Sequence, residues 1–190
     1  MLPDGSQLVL ASKSPQRQAI LEALGVAFVV RRSGFVELEE GEAAGVALGN
    51  AVGKALAVAR GEGETVLGVD TVVSLDERLW GKPADEAQAR ATLRGLSGRT
   101  HIVLSALALI GADGVARTAT CATSVSFRAL DEATLAWYLA SGEWRERAGG
   151  YAIQGAGSAL VATIDGDWTN VVGLPVATLL ELVPGLLAGT

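Results

Sequence analysis

The sequence predicts an α/β protein. Its opening residues, "QLVLASKSPQRQAILEALGVAFVVRR", read as a strand, a helix and a second strand, and helical and extended patterns go on alternating along the chain. A long apolar hairpin pattern follows later, in "THIVLSALALIGADGVARTATCATSVSF". The 190 residues, 49% of them apolar, suffice for one domain over 1–190, with two lobes sharing a core.

Each element has its own signal. "QLVLA" is an apolar strand, and "PQRQAILEALG" is a helix with Pro15 in its first turn and Gly25 as its stop. "VAFVVRR" is the second strand. In "GEAAGVALGNAVGKALAVARG", Val46, Ala47, Ala51, Ala55, Leu56 and Ala59 suit the packed face of a longer helix, despite the glycines. "TVLGVDTVVSLDE" is an apolar strand interrupted by Asp70. "DEAQARATLRGLSG" is a helix with acids in its first turn, which suits the helix dipole. The hairpin turns at "GADG", and "DEATLAWYLASGE" is the next helix. A strand runs inside the glycine-rich "GGYAIQGAGSALVATIDGDW", and "LPVATLLELVPGLL" closes the chain as an apolar helix.

Composition excludes several classes of function. A net charge of -6 gives no general attraction to nucleic acid polymers or anionic membranes, so any phosphate chemistry must depend on locally placed cations. The N-terminus has no basic region ahead of an apolar core, and the longest uncharged run is too short and too polar at its ends to span a bilayer. A soluble, cytoplasmic protein is expected. Cys121 and His101 are the only residues of their kinds, which rules out an intrachain disulfide, a cysteine-rich zinc site and a pair of histidine ligands. Cys121 sits in an apolar alternation and reads as a core or half-buried thiol. Chemistry must therefore rest mainly on carboxylates, lysines, arginines and hydroxyls.

"GNAVGKA", residues 49–55, resembles a phosphate loop but fails as one. It has three residues between its glycines where four are needed, an alanine after the lysine, and a helical setting. No dinucleotide-binding glycine pattern or nucleophile turn occurs, and "DTVV" lacks the second aspartate of a phosphoaspartate phosphatase.

Asp70 is the sharpest anomaly, because an acid between "VLGV" and "TVV" must be paired, bound to metal, or at an exposed strand end; the bland reading is a buried acid capping a loop. Glu37, just past the second strand, reads on its own as a solvated loop residue. Two carboxylates converging from strand ends would, however, form the oxygen-rich site that Mg²⁺ or Mn²⁺ prefers. Arg17, Lys54 and Lys82 each read singly as surface charges. Gln154, in the permissive loop "YAIQGAG", carries an amide able to read a base edge. "LASKSPQRQAIL", residues 10–21, is either an anion site or a well-capped helix start.

The ordered set "LASKSPQRQAILEALGV", "GNAVGKALAVA", "VLGVDTVV", "GKPADEAQARATLRGLSGRTH", "YLASGE", "RAGGYAIQGAGSALV" and "TNVVGLP" resembles the Maf proteins over nearly the whole chain. These are nucleoside triphosphate pyrophosphatases once described as septum-formation inhibitors. The resemblance implies an elongated mixed β-sheet flanked by helices, with a central cleft between two lobes, similar to inosine triphosphate pyrophosphatase. It implies Asp70 as the catalytic proton acceptor or a metal ligand, Glu37 as an acid helping to hold Mg²⁺ or Mn²⁺, and Ser12, Arg17, Lys54 and Lys82 on the phosphate side. Thr71 and Gln154 fall at positions linked with base choice. The "DT" and "IQG" pairing is that of members acting on dTTP and UTP rather than 7-methyl-GTP. Gln16 stands where that type has the first arginine of S-P-R-R, a position also linked with base choice, Arg147 where a lysine is common, and Lys13 where a small residue is usual. A homodimer is a further implication. The rival expectation is a nucleotide-binding regulator of cell division that uses the same cleft without turnover.

Overall fold

A computed structural model describes residues 2, 5–58 and 60–187. Strands β1 (Gln7–Leu10), β2 (Phe28–Val30), β3 (Glu64–Leu75), β4 (Arg78–Leu79), β5 (Thr100–Ile110), β6 (Ala116–Phe127) and β7 (Val161–Asp165) form one seven-stranded sheet. Its order is β2-β1-β3-β5-β6-β7, with β4 hairpinned back onto β3. The sheet is mixed. β1 lies parallel to both β2 and β3, whereas β3, β5, β6 and β7 pair antiparallel. The helices are α1 (Pro15–Ala23), α2 (Ala43–Leu56), α3 (Glu86–Leu96), α4 (Glu132–Ser141), α5 (Trp168–Val172) and α6 (Val176–Leu182).

Sequence chemistry accounts for the ends of these helices. Ser14 caps α1 with Pro15 at the first position, Asp85 caps α3, and Asp131 caps α4, each acid accepting a backbone N–H three residues on. Side chains alternate along β3. Leu67 and Val69 face α1 and α6, in a core with Leu8, Leu10, Leu21, Leu174 and Leu179. Val66 faces α2, among Val9, Ala47, Ala51, Ala55 and Ala106. A third core gathers Val73, Val103, Val125 and Phe127 with Leu93, Leu96, Leu135 and Tyr138 from α3 and α4.

Glycines on β3 and α2 have a packing reason. A Cβ on Gly68 would lie 2.1 Å from the carbonyl oxygen of Ala51, so α2 rests directly on the β3 backbone. At Gly53 the Phe35 ring occupies the space, 2.3 Å from where a Cβ would stand.

Several expectations need correction. Leu56 is 64% exposed, because the buried face of α2 runs through Ala47, Asn50, Ala51, Lys54 and Ala55, and the next residue turns outward. Ala59, expected on that face, lies outside the described residues. The second strand stops at Val30, where its partner β1 ends at Leu10; beyond it Arg31 forms a two-point ion pair with Glu64. The short α5 and β4 had no periodic signal strong enough to predict them. Cys121 is half-buried on β6, as its alternation predicts.

Candidate active site

β1 ends at Leu10, but β3 continues for several residues beyond their last paired position, Leu10 with Leu67. The chain leaves β1 for α1 on one face of the sheet, while α2 covers the other. The carboxyl end of such a strand is where open parallel sheets leave a crevice. A cleft of about 1070 Å³ lies here, lined among others by Ser12, Arg17, Glu37, Lys54, Asp70 and Lys82.

Asp70 lies on β3 just past the end of β1, facing α2, and is 5% exposed. Asn50 and Lys54, one helical turn apart on α2, take its two oxygens. Lys54 Nζ stands 2.5 Å from Asp70 Oδ1, and Asn50 Nδ2 donates to Oδ2 at 3.1 Å. Lys54 also pairs with Glu37 Oε1 at 2.7 Å, so both carboxylates converge on one ammonium. Lys82 Nζ lies 3.6 Å from the other Glu37 oxygen. Burial works against the Glu37 charge, but the hydrogen bond and charge of Lys54, with Lys82 and Arg17, outweigh it and hold the carboxyl below its usual range.

Glu37 sits on a segment without regular structure, and Asn50 fixes it. Leu38 N donates to Asn50 Oδ1 at 2.7 Å, and Asn50 Nδ2 donates back to Leu38 O at 3.0 Å. One amide thus holds the segment carrying Glu37 and an oxygen of Asp70. Sequence reasoning passed over Asn50. Its signal was there: a polar residue four before Lys54, among the alanines of the packed face.

Thr71 faces the other side of β3 from Asp70. Arg17 reaches it from α1, with Nη2 donating to Thr71 Oγ1 at 3.2 Å, Nη1 to Ser12 Oγ at 3.0 Å and Nε to Gly173 O at 2.9 Å. Burial lowers the Arg17 pKa, while Asp70 and Glu37 oppose the shift. The guanidinium is fixed by three bonds and keeps two of its five N–H groups for a ligand. Three backbone positions at the start of α1 offer no free N–H group. The Ser14 N–H is taken by Ser12 Oγ, that of Arg17 by Ser14 Oγ, and Pro15 has none.

A smaller pocket of about 260 Å³ adjoins the cleft, lined by Gln16, Glu143, Arg147, Tyr151 and Gln154 among others. Of the three residues linked with base choice, Gln16 and Gln154 meet here, and Thr71 lies apart in the larger cleft. Glu143, also unremarked in the sequence, accepts from Ala156 N and Gly157 N at 3.0 and 3.1 Å and so fixes the turn after Gln154. Such long-range pairing leaves no local signal. His101 is buried away from both cavities' linings, bonded to the Tyr151 hydroxyl at 2.8 Å, and burial pushes its pKa down to about 4. Among the described residues no serine or cysteine is hydrogen-bonded to it.

Two converging carboxylates suit a hard divalent cation that completes its shell with water and substrate oxygens. Among the described residues no group of three or more acids, histidines or cysteines could hold one without such help. The fold and cleft therefore define an α/β protein with a deep cleft in which cations and paired carboxylates face one space. The chain belongs to the Maf-like protein family, which matches residues 7–186. It is 45% identical to a dTTP/UTP pyrophosphatase of Sphingopyxis alaskensis over 174 residues, 89% of this chain and 90% of that protein. A dTTP/UTP pyrophosphatase of Oleidesulfovibrio alaskensis is 47% identical, over 91% of this chain and 82% of that one. Among solved structures, a HAM1 protein from Coxiella burnetii aligns with 64% of this chain and 73% of its own, at 18% identity and a TM-score of 0.47. No helix among the described residues is long and apolar enough to cross a membrane.

Proposed function

We propose that the protein is a metal-dependent nucleoside triphosphate pyrophosphatase acting on dTTP and UTP or related pyrimidine nucleotides. The observation that carries this reading is the convergence of Asp70 and Glu37 on Lys54, with Lys82 and Arg17 in the same cleft. A binding protein needs the cations but has no use for a buried acid at their centre.

Water attacks the α-phosphorus, and the oxygen bridging to the β-phosphorus leaves with pyrophosphate. Asp70 accepts the proton of the attacking water. Asp70 and Glu37 would hold Mg²⁺ or Mn²⁺, which would neutralise charge on the phosphates. Lys54, which bridges the two acids, turns its ammonium to the phosphate chain. With Lys82 and the free N–H groups of Arg17 it stabilises charge developing on the leaving pyrophosphate. Ser12 Oγ, already accepting from Arg17, has its own proton to donate to a phosphate oxygen. The amides of Gln16 and Gln154, in the smaller pocket, take the base, whose two carbonyl oxygens and ring N–H offer both acceptors and a donor.

Incubating the protein with a panel of nucleoside triphosphates and Mg²⁺ or Mn²⁺ tests this directly. Pyrophosphate and the monophosphate are expected, with dTTP and UTP turned over best. Asp70→Asn is expected to lower the rate about 10² to 10⁴-fold while the protein stays folded. Orthophosphate as the product, an undiminished Asp70→Asn variant, or no product at all would overturn the reading, the last in favour of a non-catalytic regulator.

A further inference from the structure

Arg147 stands at the junction of the two cavities. With Gln16, Tyr151, Val171 and Val172 it lines both, whereas Arg17, Lys54 and Lys82 line only the larger. Its Nε–H is buried with no acceptor among the described residues. Glu143, the acid in the same pocket, has both oxygens engaged by backbone N–H groups. A buried donor of this kind calls for an acceptor from outside the chain.

The backbone holds this guanidinium in register with the rest of the site. Glu146, just before it, takes a left-handed φ of 59°, and Gly150 N donates to Arg147 O at 3.0 Å. Gly149 N is shared between Trp80 O at 2.8 Å and Gly81 O at 3.1 Å, which fastens the segment to the one that carries Lys82.

We propose that Arg147 binds the α-phosphate of the nucleotide, the phosphate kept by the monophosphate product, while Arg17, Lys54 and Lys82 hold the two that leave. This rests on the pyrophosphatase reading. A nucleotide with its base between Gln16 and Gln154 and its phosphate chain in the cleft has its ribose and first phosphate at the junction. The planar fork of a guanidinium matches two oxygens of one phosphate. The two products are then held by different cations.

The test compares Arg147→Gln and Arg147→Lys with the unaltered protein, measuring competitive inhibition by uridine monophosphate and by inorganic pyrophosphate, the UTP-to-CTP rate ratio, and thermal melting. Arg147→Gln is expected to weaken uridine monophosphate about tenfold or more, the scale of one charge-assisted contact. Pyrophosphate inhibition and the UTP-to-CTP ratio stay unchanged, and Arg147→Lys recovers part of the loss. Equal weakening of both products, weakening of pyrophosphate alone, or a changed UTP-to-CTP ratio would overturn the proposal, the last assigning Arg147 to the base edge. Failure of the underlying reading shows separately, as an unaltered protein that releases no pyrophosphate.

Discussion

Lys54 Nζ lies 2.5 Å from Asp70 Oδ1, and both side chains are more than nine-tenths buried. Such a pair is costly to desolvate and more costly to break, because removing one partner strands the other. Here the ammonium also serves Glu37, so two carboxylates depend on it.

Lys54→Met leaves those carboxylates facing one another without their shared cation. The variant is expected to lose about 3 kcal/mol of stability in urea unfolding without divalent ions. Mg²⁺ is expected to raise its melting temperature more than that of the unaltered protein, since an ion bound only by the folded state stabilises by mass action. Equal shifts in the two proteins would show that Asp70 and Glu37 do not hold the ion together.

Gly68→Ala puts a methyl group 2.1 Å from the Ala51 carbonyl oxygen, a backbone atom that cannot turn aside. α2 must lift from β3, carrying Asn50 and Lys54 away from Asp70. A destabilisation of about 1 to 3 kcal/mol is expected from the overpacking. The rate should fall further than the folded fraction does. Activity that follows the folded fraction alone would mean that the seating of α2 does not set the site.

His101 makes stability depend on pH. Its folded pKa of about 4 lies below the ordinary 6.5, so the unfolded chain takes up a proton across a range where the folded chain does not. Its contribution is constant above pH 6.5, falls as pH drops toward 4, and levels off below. The total is about 3 kcal/mol. Carboxylates with lowered pKa, such as Glu37, add losses that begin only at more acid pH. Urea unfolding at pH 7, 5.5 and 4.5 should show this slope, and His101→Gln should flatten it; equal slopes in both proteins would exclude His101 as its source.

Local patterns carried much of the fold. Pro15 and Gly25 bracketed α1, and the "GADG" turn marked the β5–β6 hairpin, because these signals act within a few residues. Asp70 was legible as an acid in an apolar strand, whereas its two holders were not, since they depend on how α2 lies across β3. Lys54 read singly as a surface charge and proves 7% exposed. Leu56 read as core and faces solvent, an error of about 100° in the phase of a helix rich in alanine and glycine, where small side chains define no sharp apolar edge. Gln16, in the first turn of α1, and Gln154, in a loop, stand far apart in the chain. Only the fold could bring them to one pocket.

The unequal lengths of β1 and β3 also govern where the chain can change. The cleft is a step in the sheet, made by a short strand ending beside a long one. The corner from residue 11 to 14 therefore has no slack: a further residue paired to β3 would carry the ladder toward Asp70 and fill the step. The turn between β5 and β6 lies toward the opposite end of β3, beyond the pairing of Ile110 with Val66. Inserted residues there would lengthen the molecule and leave the step beside Asp70 its depth.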